Sequence, residues 1–276
     1  MELTSMFDFM VEQSKANIPT SESDYISEDG LLYCGKCKTK KQTEVTFLGI
    51  TKRPFCVCKC EAERRAAEEQ RLLLEKRIEE LKERGFINSE MLTKTFANDD
   101  MSNPKITRAM QNYVENFPQL RKEGKGLLLY GNVGTGKTYA ACEVANELIN
   151  RGYPVKVTNF AEIINDLQAT FEKQEYIERL NDNALLVIDD LGIERDTAFA
   201  KEQVYNVIDS RYRAGLPMII TTNLTIDKIK NINEIEYKRI YERILEKCHP
   251  IEVTGENRRR KAIREGYNDM QDLLGL

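Results

Sequence analysis

Residues 131–138 read Gly-Asn-Val-Gly-Thr-Gly-Lys-Thr, the G-x-x-x-x-G-K-[ST] spacing of a loop that holds phosphate. Glycines let the backbone turn sharply and aim successive N–H groups at phosphate oxygens, and the helix that follows adds its positive end. Candidate nucleotide contacts are therefore Gly131, Asn132, Val133, Gly134, Thr135, Gly136, Lys137, Thr138 and Tyr139. In this pattern Lys137 reaches the β- and γ-phosphates and Thr138 binds Mg²⁺. Downstream, "LLVIDDLG" (185–192) is an apolar run that ends in acids. Such a run places carboxylates at the carboxyl edge of a sheet, where ligands bind in α/β folds. Asp189 is the expected Mg²⁺ partner, and Asp190 is placed to orient an attacking water. "MIITTNLT" (218–225) ends a further buried run in Asn223, whose amide can bond the water or the γ-phosphate. Alone, that feature is as easily a helix cap.

Five of the seven cysteines cluster between residues 34 and 60, as "CGKC" and "CVCKC". Paired cysteines at this separation fit a tetrahedral zinc ribbon, with strand-like "EVTFLGI" (44–50) between them. The expected ligands are Cys34, Cys37, Cys58 and Cys60, with Cys56 as the alternate. An iron–sulfur cluster is the runner-up, although such clusters use longer, more regular runs. In so short a segment with few apolar residues, metal would supply much of the folding energy. Cys142 and Cys248 stand alone in apolar segments and are expected in a core.

Two kinds of rhythm must position these groups. A short helix is expected near 5–16. Residues 61–84 have no Gly or Pro, and Ala67, Leu74, Ile78 and Leu81 fall on one stripe of a helix that Gly85 ends. Beyond about residue 95, strand-like runs at 126–130, 153–159, 184–189, 217–222 and 250–254 alternate with helical stretches at 137–151, 161–174, 199–214 and 235–247. A helix at 106–117 precedes them and is expected to pack at the sheet edge. The alternation predicts an α/β fold, a mostly parallel five-stranded sheet with helices on both faces. The expected division is a zinc-binding module at 1–60, a helical linker at 61–90 and an ATPase domain at 91–276.

No apolar run approaches the roughly 20 residues that span a bilayer, and the first residues lack a basic-then-apolar signal; a cytoplasmic location is expected. A net charge of −4 gives no bulk attraction to nucleic acid, so any such contact must come from local patches. Arg258, Arg259, Arg260, Lys261 and Arg264 form one candidate, which could equally be a solvated helix start.

The order of phosphate loop, acidic strand and polar strand end, with Arg239 and Arg243 one turn apart in "YKRIYERILEKC", resembles the AAA+ ATPases. Over residues 92–262, "TKTFANDD", "LLLYGNVGTGKTYAACEVANEL", "SRYRAGLPMIITTNLT" and "RIYERILEKCHPIEVTGENRRR" look like the DnaC/DnaI-type helicase loaders, a branch shared with the IstB-type transposition ATPases. Phage and prophage loaders are included in the likeness, which extends to a zinc-bearing N-terminal module that holds the helicase. The resemblance implies an ATPase of weak intrinsic activity that uses ATP and Mg²⁺. It implies self-association through ATP sites, binding to a DnaB-type helicase hexamer, and contact with single-stranded DNA during replication initiation. It suggests Arg243, with Arg239 beside it, as the arginine given to a neighbouring subunit, and Arg259 as the arginine near the γ-phosphate. The family's G-x-S-[YF]-R ending reads Gly255-Glu256-Asn257-Arg258-Arg259 here. An IstB-type role in DNA transposition is the alternative. A small-molecule kinase would leave the asparagine-ended strand, the paired arginines and the cysteines unexplained.

Overall fold

The computed structural model describes residues 3–47, 49–192, 197–258, 270–271 and 273–274. The chain divides into two compact units, Met1–Glu75 and Lys76–Leu276.

In the first unit, helix α1 (Leu3–Asn17) precedes two small antiparallel ladders. Strands β1 (Tyr25–Ile26) and β2 (Leu32–Tyr33) form one, β3 (Val45–Phe47) and β4 (Ile50–Lys52) the other. The expected single strand over 44–50 is thus the first half of a hairpin: Phe47 pairs with Ile50, and Gly49 turns at a φ of 78°. A buried ion pair braces the unit. Lys41 Nζ donates to Asp24 Oδ2 and to Pro19 O, both at 2.6 Å. Burial alone would raise the Asp24 pKa, but the Lys41 ammonium and the N–H groups of Ser21 and Gly35 hold it down at about 2.

Helix α2 (Lys59–Gly85) starts in this unit and ends in the second. Its expected apolar stripe splits. Leu81 is buried and Ile78 packs on the core, whereas Leu74 and Ala67 are exposed.

The second unit continues through α3 (Pro104–Glu115), α4 (Phe117–Glu123), β5 (Gly126–Tyr130), α5 (Lys137–Asn150), β6 (Val155–Asn159), α6 (Phe160–Ala169), α7 (Lys173–Asn181), β7 (Leu185–Leu191), α8 (Ala198–Arg213), β8 (Met218–Thr222), α9 (Ile226–Lys230), α10 (Ile235–Lys247) and β9 (Cys248–Glu252). The five strands form one sheet in the order β6-β7-β8-β5-β9, with every pairing parallel. Strand residues alternate between two cores, as a sheet covered on both faces requires. Leu127, Leu129, Leu185 and Val187 pack with α3, α4 and α5, while Leu128, Leu186, Ile188 and Ile220 pack with α6, α8 and α10. Helix α3 packs on α5 through Met110 and Val114, and Asn103 at its start donates to Thr254 O, just past the edge strand β9.

Candidate functional site

The loop between β5 and α5 crosses the carboxyl ends of the strands. Gly134 has a φ of 82° and lies so close to the 255–258 segment that a Cβ there would sit 2.2 Å from Asn257 Oδ1. Gly136 takes a φ of 98° and caps α5. Both positions exclude a side chain, one by conformation and crowding, the other by conformation. Thr135 Oγ1 donates to Asn132 O at 3.0 Å and closes the turn.

Lys137 is buried, and its Nζ donates to Gly131 O at 3.0 Å, Asn132 O at 2.7 Å and Asn223 Oδ1 at 2.8 Å. These acceptors hold the ammonium above the loop, within reach of anionic oxygens that enter the cleft. Thr138 Oγ1 donates to both oxygens of Asp189, at 2.8 and 3.1 Å. Thr221 Oγ1 donates to Asp189 Oδ1 at 2.6 Å and accepts from Asp190 N at 2.9 Å. Asn223 Nδ2 donates to Asp190 Oδ1 at 3.3 Å, so one amide joins the lysine to the second acid. The hydroxyl of Thr138 beside the Asp189 carboxylate is an all-oxygen set of the kind Mg²⁺ takes.

Adjacent residues of a regular strand point to opposite faces, which would separate Asp189 from Asp190. The β7–β8 register shifts between Ile188 and Leu191, and Asp190 adopts a left-handed φ of 56°. This irregularity turns both carboxylates into one site, a common role for bulges beside active sites.

The cleft above the loop, about 260 Å³, is lined by Val133, Gly134, Gly136, Lys137, Thr138, Tyr139, Asp190 and Asn223, and also by Glu90, Lys94 and Arg258. Sequence reasoning did not assign the last three to this site, nor the Thr221 bridge. Lys94 does lie in the quoted "TKTFANDD" stretch. Buried Asn146 carries the strap that presents it, donating to Met91 O and Lys94 O, both at 2.9 Å.

Arg239 and Arg243 are not among the residues that line this cleft. Arg243 Nε lies 2.7 Å from Asp209 Oδ1, Nη2 donates to Tyr205 OH at 2.8 Å, and the guanidinium stacks over the Tyr205 and Tyr212 rings. Arg239 lines a separate groove between α8 and α10 with Lys201, Tyr205 and Glu236. Arg259, Arg260, Lys261 and Arg264 lie outside the described residues.

In the first unit, the sulfurs of Cys34, Cys37, Cys58 and Cys60 all lie within 4.8 Å of one another. Cys60 Sγ is 3.7 Å from Cys34 Sγ and 3.6 Å from Cys58 Sγ. A tetrahedral zinc with Zn–S bonds of about 2.3 Å needs sulfurs about 3.8 Å apart, so the set fits. The tight C-x-C spacing works because Cys58 precedes α2 and Cys60 lies in its first turn. Cys56 instead points its Sγ at Lys40 O, 3.6 Å away. Crowding splits the proton affinities of the thiols. A hydrogen bond from the Thr39 hydroxyl holds Cys37 at about 5, while Cys37 and Cys58 push Cys60 up to about 12. A divalent cation would relieve that conflict by taking all four as thiolates. Cys142 and Cys248 are fully buried in the sheet unit, and burial pushes each up to about 12. They are packing residues there.

Among the described residues no helix is long and apolar enough to cross a membrane.

The family model of IstB-like ATP binding proteins matches residues 93–266. The replicative helicase loader DnaI of Bacillus subtilis is 31% identical over 201 residues, covering 67% of this chain and 64% of that protein. An ATP-binding protein of an insertion sequence in Mycobacterium tuberculosis is 25% identical over 164 residues, covering 57% of this chain and 64% of the other. The chain thus spans slightly less than two thirds of the length of either relative. A crystal structure of DnaI matches with a TM-score of 0.53 at 25% identity, over 64% of this chain and 98% of that one. The sheet and loop are those of the AAA+ P-loop fold.

Proposed function

Since the chain belongs to the IstB-like ATP binding protein family, we propose that it is an ATPase that loads a replicative DnaB-type helicase onto single-stranded DNA. The observation that carries this proposal is the likeness to DnaI over 201 residues. The cleft supplies the chemistry. Lys137 neutralises the terminal phosphates, and Thr138 with Asp189 holds Mg²⁺. The metal, when bound, offsets the charge that develops on the transferring phosphoryl group. Asp190 and Asn223, already hydrogen-bonded at 3.3 Å, orient the attacking water. Weak hydrolysis by the lone chain follows, because the positive charge that stabilises transfer comes from Arg243, with Arg239, of a neighbouring subunit; Arg259 is assigned as the arginine near the γ-phosphate.

In this reading the labour divides along the chain. Residues 1–60 fold around zinc at Cys34, Cys37, Cys58 and Cys60 and hold the helicase, 61–90 link, and 91–276 bind and hydrolyse ATP. ATP then joins subunits and orders a DNA-contacting face, and hydrolysis releases the helicase. A second role, remodelling target DNA for a transposase, is favoured by the 25% identity to the insertion-sequence protein.

Light scattering on the full chain mixed with a DnaB-type helicase from the same host, with ATP, ADP or neither, tests the proposal. A nucleotide-sensitive complex with several loaders per hexamer is expected. A tight complex with a transposase, and none with any helicase, would replace loading with transposition.

A further inference from the structure

Behind the phosphate loop is a small cavity lined by Asp99, Thr135, Gly136, Tyr139, Glu143 and Arg258. Nucleotide chemistry leaves its acids without a task. The Asp99 side chain is only 3% exposed and the Glu143 residue 2%. Asp99 Oδ1 and Glu143 Oε1 are both buried without a hydrogen-bond partner, although an unsatisfied buried acceptor is costly. The other Asp99 oxygen is fixed, accepting from Thr107 Oγ1 on α3 at 2.5 Å. Asp99 Oδ1 therefore faces one group of opposite charge, Arg258, whose Nη1 lies 3.8 Å away.

Arg258 is tied to the loop by its backbone as well. Its N–H donates to Gly134 O at 2.9 Å. Its Nη2 lies 3.3 Å from Asp100 Oδ1, and its guanidinium stacks over the Tyr139 ring at 5.7 Å. The guanidinium lies so close to Gly136 that a Cβ there would meet Arg258 Cζ at 3.3 Å. It thus stands beside the residue that precedes Lys137, and it lines the cleft as Lys137 and Thr138 do. Burial first, and the neighbouring acids second, push Glu143 up to about 8, so Asp99 and Asp100 are the carboxylates that pair with Arg258.

We propose that Asp99 is a positioning residue for the nucleotide site: its buried carboxylate, helped by Asp100, seats Arg258 against Gly136 and so presents the guanidinium to the phosphates. The proposal rests on the assignment of the cleft as the ATP site. Arginine offers phosphate planar, paired donors, but a long exposed side chain must first be ordered. A seat that fixes it beforehand improves affinity without touching the ligand.

A double-mutant cycle in the full chain tests this, read by titration with fluorescent ATP and ADP analogues in the presence of Mg²⁺. Arg258→Ala should weaken ATP binding about tenfold or more, as expected for the loss of a charge-assisted bond. Asp99→Asn should weaken it about threefold to tenfold, and should do almost nothing further once Arg258 is alanine. Exposed Asp100→Asn, which puts the fold at little risk, should show a smaller loss that also disappears in the Arg258→Ala background. Losses of equal size in both backgrounds would mean that Asp99 acts on the fold alone, and the proposal fails. It also fails if neither Asp99→Asn nor Asp100→Asn changes affinity. A wild-type chain that binds neither analogue, or binding unchanged by Lys137→Ala, would overturn the site assignment itself and the seat with it.

Discussion

Removing one ligand of the cysteine quartet should unfold the first unit while the sheet unit stays intact. Within residues 1–75, the buried apolar side chains among the described residues are Ile18 and Leu31, apart from Cys34 and Cys58. Burying two such side chains contributes roughly 3–6 kcal/mol. Structural zinc in comparable sites contributes about 10–16 kcal/mol at neutral pH. The metal term is the larger by a factor of about two to five, so the small ladders and the Lys41–Asp24 brace should not outlast it. Cys60→Ser removes the sulfur 3.6–3.7 Å from two others. It should lose stoichiometric zinc by elemental analysis and become open to protease within residues 1–60. Cys56→Ser should keep one zinc per chain, because Cys56 lies outside the quartet. ATP-analogue binding should survive in both variants, since the phosphate loop has its own core. The reasoning is refuted if Cys60→Ser keeps its zinc and its protease resistance, or if Cys56→Ser loses them.

In the cleft, Lys137→Ala should weaken ATP binding about tenfold or more, the loss expected for charge-assisted bonds to phosphate, with zinc content unchanged; equal affinity would mean that the loop does not bind nucleotide. Asp189→Asn should keep binding within about threefold yet slow phosphate release by about a hundredfold, since the metal partner is lost; release at the wild-type rate would remove Asp189 from the chemistry. Glu143, pushed up to about 8 from an ordinary value near 4.5, holds its proton more tightly when folded. Its contribution to stability is full below the ordinary value and is lost as pH rises through 8, at about 1.4 kcal/mol per unit. Urea unfolding should therefore show Glu143→Gln gaining on wild type by a few kcal/mol between pH 5 and pH 8, and parallel profiles would discard the shift. Arg211 is fully buried and donates to Pro217 O, Leu180 O and Asn183 O; burial drops its pKa to about 9. Arg211→Met leaves those carbonyls without this donor and should cost about 3–5 kcal/mol; a loss below about 1 kcal/mol by urea unfolding would show that the carbonyls find other donors.

Strands covered on both faces were the most legible elements. The run at 126–130 is an uninterrupted apolar stretch and forms β5 over the same residues, because neither face allows a polar position. Local backbone decisions were harder to read. The expected helix at 161–174 is two helices: Thr170 turns extended at a φ of −105° and a ψ of 145°, and Phe171 is fully exposed. No Gly or Pro marks the break, and the Thr170 hydroxyl that accepts from Glu172 N is a weak signal in any sequence. Helix α4 was not expected: the predicted helix at 106–117 runs past Asn116, where α3 ends, and Pro118 suits the first turn of the new helix. Leu74 satisfies the helical stripe yet stays exposed, since periodicity states which residues share a face and not what covers it.

At the site, residue types were legible and their joining was not. The pair Asp189-Asp190 can be read from sequence as acids at a strand end, but regular pleating would have sent one of them to the wrong face. What unites them is a register shift, a left-handed aspartate and the Thr221 hydroxyl, which accepts from the Asp190 N–H and donates to the Asp189 carboxylate. Aspartate tolerates that conformation better than most residues, and the Thr221 bond satisfies an N–H that the broken ladder would otherwise leave unpaired. The Thr-Thr-Asn strand end thus has two tasks. Thr221 fixes the bulge that aims the acids, and Asn223 ties the second acid to Lys137. A Thr221→Val variant of the same shape would keep the strand and lose the bridge, so Asp190 should swing away while Asp189 stays on Thr138. In the ATP-binding and phosphate-release assays, hydrolysis should therefore fall far more than nucleotide affinity.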